Sequence, residues 1–278
     1  MKEYDKYLKL LKEKYPTKQS VYRELINLNA IMNLPKGTEH FMSDLHGEYD
    51  AFYHIINNCS GVIREKVAML YGDELTVYEQ QELCTLIYYP REKLSILMDE
   101  NKVNDEWYRN VLNQLIQIAK LLSSKYTRSK VRKAMPVDFA YIIDELIHAQ
   151  KDEDDNRSVY HRQIMETILN LHNGDEFLVA LTDLIKRLAV DHLHILGDIY
   201  DRGAHADKIL DLLMEHHSVD IQWGNHDILW MGAFCGNPVC MALVVRNNIK
   251  YKTMSILENG YGISLRFLLQ FAVNTYSD

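Results

Sequence analysis

Two short strand candidates, TEHFM at residues 38–42 and DHLHIL at residues 191–196, each run into a glycine-bearing polar loop, SDLHG and GDIYDRG. Between Gly47 and Gly197 the pattern is helical almost throughout. Any sheet in this chain must therefore pair strands that lie far apart in sequence. A third short strand, VDIQW at residues 219–223, follows a helical pattern at 207–217 and ends in GNHD. Open α/β sheets place their ligand sites at the carboxyl ends of strands, where all three of these loops sit.

The helices are marked by their own signals. Apolar residues recur at three and four over 3–14 and 20–32, with Pro16 and Pro35 as punctuation. After Gly47 a helical pattern runs through Cys59, with Phe52, Ile55 and Ile56 on one side. Thr76 and Glu79 have capping-box spacing ahead of YEQQELCTLIYY. Pro90 suits the first turn of REKLSILMDE, Asn104 can cap EWYRNVLNQLIQIAKLL, and Pro136 opens VDFAYIIDELIHAQ. KYTRSKVRKAMP carries five basic residues from Lys125 to Lys133 and reads as a solvated face or loop, with an anionic-ligand site as the sharper alternative. KDEDDNRS, residues 151–158, reads as a polar linker, and no repeat or low-complexity segment is present.

Composition removes several function classes. The chain has 278 residues, 47% hydrophobic and 25% charged, which is enough for a proper core. A net charge of -8 argues against general nucleic-acid binding. No apolar run approaches the roughly 18 residues of a membrane helix. The opening MKEYDKYLKLLKEKY has no signal-peptide core. Cys59, Cys84, Cys235 and Cys240 form no close pair, so they read as buried free thiols of a reduced, cytoplasmic protein rather than a zinc site.

Turn propensity explains any one of the three loops, because Asp and Gly are turn residues. It does not explain them together, since turns require neither His46 nor the dipeptide Asn225-His226. Asp44, His46, Asp198 and Asn225 offer oxygen and nitrogen donors that suit Mn²⁺, Fe or Zn²⁺ better than a thiolate metal. Glycines 47, 197, 203 and 224 let the backbone turn sharply and approach an ion.

The set D-x-H-G, G-D-x-x-D-R-G and G-N-H-D resembles the calcineurin-like metallophosphoesterases. The resemblance implies an α/β fold, a β-sandwich flanked by helices and incomplete here. It also implies that Asp44 and His46 hold one metal, Asp198 bridges two, and Asn225 holds the second. His226 would protonate the leaving oxygen, Asp201 would orient it, and Arg202 would grip the phosphate. The all-helical insertion between the first and second metal loops matches one branch, the class 3 fructose-1,6-bisphosphatases of low-GC Gram-positive bacteria and relatives. LPKGTEHFMSDLHGEYDAF, HIINNCSGVIREK, TLIYYPREKL, HILGDIYDRG, SVDIQWGNHDILWMG and YGISLRFL carry that likeness along nearly the whole chain. It implies a Mn²⁺-dependent hydrolase that removes the 1-phosphate of fructose 1,6-bisphosphate in gluconeogenesis. It further implies regulation by AMP and phosphoenolpyruvate, sites that no residue locates, and leaves homo-oligomerisation open. Residues 1–60 would hold the N-terminal helices with the first strand and metal loop. Residues 61–187 would be the insertion, and 188–278 the continuation of the phosphoesterase domain.

The chain departs from the pattern in one important respect: no histidine follows His226, where the superfamily completes its second metal site. The expectation is an N-terminal portion of a longer protein with weak activity or none on its own. The alternatives are a protein phosphatase or dinucleotide polyphosphate hydrolase of the same superfamily, or a non-catalytic fragment. Ala204-His205 stands where a proline and a basic residue are expected, a minor change. His192 and His194 share one strand face and read as hydrogen-bonded strand histidines, with a metal role as the alternative. Asp227 reads as a residue behind the ligands, Glu48 and Asp50 as first-turn helix residues, and LIYYP as core packing rather than a sugar platform. His54, His148 and His172 read as structural.

Overall fold

Strand β1 (Glu39–Met42) pairs in parallel with β2 (His192–Ile195), and β2 in parallel with β3 (Val219–Ile221), giving the order β1-β2-β3. This is seen in a computed structural model that describes residues 2–149 and 155–276. The register sets Phe41 opposite His194 and His194 opposite Asp220. All three strands are one or two residues shorter than their sequence pattern. The ladder nevertheless runs on into the flanking loops, with Asp191 N donating to Thr38 O at 2.8 Å and Leu196 N to Met42 O at 2.7 Å.

Before the sheet come helices α1 (Lys2–Lys14) and α2 (Lys18–Ile31); between β1 and β2 come α3 (Tyr49–Asn58), α4 (Val62–Tyr71), α5 (Val77–Tyr88) and α6 (Pro90–Asp99). The same crossover continues through α7 (Asp105–Ser123), α8 (Arg128–Ala134), α9 (Ala140–His148), α10 (Asp155–Asn170) and α11 (Gly174–Ala189). Helix α12 (Ala206–Glu215) links β2 to β3, and α13 (Asn225–Phe234), α14 (Pro238–Tyr251) and α15 (Arg266–Tyr276) follow. Among the described residues there is one sheet and no second, so this stretch does not by itself form the sandwich that the resemblance implies. No described helix is long and apolar enough to cross a membrane.

Alternation along the strands decides which sheet face is covered. Leu193 and Ile195 are buried with Phe52 of α3 and Ile209 and Leu213 of α12, against which Met42 and Val219 also pack. The opposite face, with Glu39, Phe41, His192, His194 and Asp220, is open, and Phe41 is 63% exposed.

A separate apolar core holds the helices of the crossover together. Helix α7 presents Leu112, Leu115, Ile118 and Leu122 at three- and four-residue spacing, and α11 presents Phe177, Leu181, Leu184, Ile185 and Leu188. The start of α7 is fixed as its sequence indicates: the Asn104 side chain accepts from Trp107 N at 2.8 Å, with Asp105 and Glu106 in the first turn. Helix α5 has the expected capping box, Thr76 N donating to Glu79 Oε2 at 2.8 Å. Pro90 sits in the first turn of α6.

Three expectations need correction, and one pair of alternatives resolves. The basic run is a solvated face rather than a loop: it contains α8, with Arg128, Lys130, Arg132 and Lys133 exposed, Thr127 as its cap and Val131 and Met135 as buried anchors. Three of its cations have partners within the chain: Lys130 Nζ on Asp191 at 2.7 Å, Arg132 Nε on Asp144 at 3.8 Å and Arg128 Nε on His148 at 3.1 Å. The expected linker at 151–158 falls partly outside the described residues, and its last four residues already belong to α10. Cys59 and Cys84 are buried as expected, but Cys235 is exposed and Cys240 half-buried on the outer helices. Ile55 does not share the buried side of α3 with Phe52; it is exposed. LIYYP, by contrast, does pack: Leu86 and Ile87 are buried, Tyr88 lies against the core, and Tyr89 bonds His54 Nδ1 at 2.5 Å.

Removing core volume at the α7–α11 contact leaves a cavity that helices cannot collapse around. Leu181→Ala is expected to cost about 2–5 kcal/mol, read as a lowered urea midpoint. A second expectation concerns pH. Burial, then the neighbouring His217 imidazole, hold the His216 imidazole down at about 4 in the folded chain. Between pH 6.5 and about 4 the unfolded chain binds a proton that the folded chain refuses, so stability is lost as pH falls through that window. His216→Gln should flatten the fall in urea midpoint between pH 7 and pH 5.

Candidate active site

The three strand-end loops meet through their backbones. His46 N donates to Asp198 O at 2.8 Å and His205 N to Gly47 O at 3.2 Å, joining the first loop to the second. Gly47 and Gly203 face each other so closely that a Cβ on Gly203 would lie 1.9 Å from His46 O. Gly197 and Gly224 do the same between the second and third loops, where a Cβ on Gly224 would lie 2.3 Å from Asp198 Oδ1. Only Gly47 and Gly197 have positive φ, so Gly203 and Gly224 serve the approach of loop to loop rather than a sharp turn.

The turning falls instead on side chains that carry chemistry. Asp44, His46, Asp198 and Arg202 all adopt left-handed backbone, with φ of 55°, 48°, 53° and 59°. Such conformations cost roughly 1–3 kcal/mol each in non-glycine residues and persist where the surroundings impose them. Here the interlocked backbones impose them.

This arrangement brings one donor atom each from Asp44, His46 and Asp198 within 4.8 Å of one another. Behind them, Asp201 is 5% exposed and faces two imidazoles: His46 Nε2 is 3.7 Å from its Oδ2 and His226 Nε2 3.5 Å from its Oδ1. Arg202 Nε pairs with Asp201 Oδ2 at 3.0 Å while most of the Arg202 side chain stays exposed. Asp201 Oδ1 is buried without a hydrogen-bond partner. Asn225 opens α13 next to Gly224, the residue packed against Asp198, and is exposed.

Asp227 binds the second and third loops together. Its Oδ1 accepts from Ile199 N at 2.9 Å and Tyr200 N at 3.0 Å, and its Oδ2 from Gly224 N at 2.8 Å. One buried carboxylate thus satisfies three backbone donors on both sides of Asp198. The sequence marked Asp227 only as a residue behind the ligands. Farther out, Tyr200 stacks on Trp230 at 4.4 Å and bonds Tyr261 through its hydroxyl. Burial, then Tyr261, push the Tyr200 phenol upward. With Asn247, Tyr251 and Thr253, the Tyr200–Trp230 pair lines a small cleft beside Arg202 and His226. No spacing or motif marked these residues.

A sequence profile of the family described as Firmicute fructose-1,6-bisphosphatase matches residues 6–278. The chain belongs to that family. Among curated relatives, the class 3 fructose-1,6-bisphosphatase 1 of Clostridium beijerinckii is 53% identical over 100% of this chain and 43% of its own length. A class 3 fructose-1,6-bisphosphatase of Listeria monocytogenes is 54% identical over 98% and 42%, and one of Bacteroides fragilis 51% over 98% and 41%. The chain therefore spans about two-fifths of the length of these bisphosphatases. No solved structure matches it.

The family implies a metal, and the residues present fit one. Two carboxylates and an imidazole form a hard-to-borderline donor set, each with one donor atom within 4.8 Å of the others. If Asp227 holds the ligand loops, Asp227→Ala should weaken Mn²⁺ binding about 10–100-fold, the range for loss of an outer partner. Asp227→Asn, which keeps one acceptor oxygen, should lose less. Titration followed by electron paramagnetic resonance reads both.

Proposed function

We propose that this chain carries the metal- and phosphate-binding face of a metal-dependent phosphomonoesterase that converts fructose 1,6-bisphosphate to fructose 6-phosphate and phosphate. The observation that carries the reading is the convergence of Asp44, His46 and Asp198 beside Asp201, Arg202 and His226, on strand-end loops of a chain half identical to named class 3 fructose-1,6-bisphosphatases.

In this reading Asp44, His46 and Asp198 would hold one divalent cation, and Asp198 with Asn225 a second. The donor mixture suits Mn²⁺, Fe or Zn²⁺, and the family resemblance favours manganese among them. When bound, such ions supply a water ionised near neutral pH and positive charge opposite the phosphoryl oxygens. Arg202, anchored through Nε on Asp201, presents its remaining N–H groups to two oxygens of the 1-phosphate. The buried Asp201 carboxylate stands 3.5 Å from His226 Nε2 and orients the ring. In the acid role the protonated ring delivers its proton to the sugar oxygen as the P–O bond breaks. His46 shares the same carboxylate, so Asp201 orients a ligand and the acid together.

The fold belongs, in this proposal, to the calcineurin-like group. Residues 61–187 form an insertion with its own apolar core, between an N-terminal part at 1–60 and a catalytic continuation at 188–278. The protein works in the cytoplasm. The chain spans about two-fifths of the length of its named relatives, which keeps a second reading open, a metal-binding piece that is not catalytic by itself.

Phosphate release from fructose 1,6-bisphosphate, a phosphopeptide and a dinucleotide tetraphosphate, each with Mn²⁺ and long incubation, separates the possibilities. The expected result is slow turnover of the sugar bisphosphate alone, abolished by Asp198→Asn and reduced about 10²–10³-fold by Arg202→Ala, as for loss of a charge-stabilising donor. Preferential cleavage of either other substrate would replace the sugar assignment. Stoichiometric Mn²⁺ binding with no turnover of any substrate would favour the non-catalytic reading.

A further inference from the structure

His192 and His194 are the first and third residues of β2, on the open face of the sheet. His194 is the register partner of Asp220 on β3, and His192 lies two residues back on the same face. Asp220 reaches both rings: its Oδ1 is 2.8 Å from His194 Nδ1 and its Oδ2 is 3.2 Å from His192 Nε2. One donor atom from each of the three residues lies within 4.8 Å of the others.

We propose that His192, His194 and Asp220 form a second divalent-cation site, of the zinc type, that clips β2 to β3. Around a tetrahedral Zn²⁺ with bonds of about 2.0–2.1 Å, donor atoms lie roughly 3.3–3.5 Å apart. The observed separations need only a small opening to admit the ion. Two imidazoles and a carboxylate leave a fourth position for water.

The simpler account is a carboxylate shared by hydrogen bonds between two imidazoles, which also holds the Asp220 carboxyl below its usual range. His194 Nε2 is buried with no hydrogen-bond partner. With Nδ1 on an ion, the ring proton sits on Nε2 and points toward the Glu39 carboxylate 3.8 Å away. His192 has the matching outer partner, Ser218 Oγ at 2.6 Å from Nδ1, which frees Nε2 for the ion. Imidazole ligands of metals characteristically have such a partner on the second nitrogen. Phe41 stacks on the His194 ring at 4.3 Å and 11° and fixes its plane.

The test uses the 278-residue chain carrying Asp44→Asn and Asp198→Asn, which silences the strand-end loops, and Zn²⁺ as the probe. Calorimetry should show one equivalent bound and a raised thermal midpoint. Adding His194→Gln should weaken binding by more than the roughly 10–100-fold that loss of an outer partner costs, while Ser218→Ala should fall within that range. No Zn²⁺ binding in the silenced chain, or unchanged binding after His194→Gln, would overturn the proposal. Should the substituted chains fail to fold, the parent chain answers the same question. Zn²⁺ should protect His192 and His194 from diethyl pyrocarbonate, mapped by mass spectrometry, and equal modification with and without Zn²⁺ would refute the site.

Discussion

The site depends on backbone meeting backbone at the ends of three parallel strands. Gly47 against Gly203 and Gly197 against Gly224 allow an approach that any side chain would block. Across the second of these seams the Asp227 carboxylate gathers three amide hydrogens. These contacts force Asp44, His46, Asp198 and Arg202 into left-handed backbone. The donor cluster is therefore a product of the seam rather than of the individual turns. Its conformational cost is borne by the sheet and by the apolar layer that α3 and α12 pack against it.

The sheet is small for that task. Three strands of three or four residues are covered on one face by α3 and α12 and are open on the other. The larger mass of buried side chain lies elsewhere, in the block built on α7 and α11. Lys130 ties that block to the sheet end through its pair with Asp191, while the Tyr126 hydroxyl bonds Leu188 O at 3.0 Å within the block. The helical body is thus joined to the start of the strand that leads to Asp198.

Much of this was legible in the sequence where one local rule decides the outcome. The capping box at Thr76 and Glu79, the cap at Asn104 and the first-turn Pro90 each mark a helix start that the structure reproduces. Strand positions were legible because each strand alternates and stops at a polar glycine loop. What could not be read was anything that needs a partner from elsewhere in the chain. Helix α8 is formed by a seven-residue sequence with four cations, and only its packing through Val131 and its pairing with Asp191 and Asp144 reveal why. The left-handed conformations of Asp44 and Asp198 were hidden for the same reason, since their neighbours arrive from other loops. The Tyr200–Trp230–Tyr261 group, assembled across more than one loop and helix, left no periodic trace.

The position of β1 has a consequence for biosynthesis. Its only strand partner among the described residues, β2, begins at His192, after the whole crossover. At about 5–20 residues per second, a ribosome needs on the order of 10–30 s to deliver that partner. During this interval the helical block can already settle around α7, but β1 must wait as an unpaired edge with Phe41 uncovered. Nascent chains at that stage are the ones for which chaperone capture matters most.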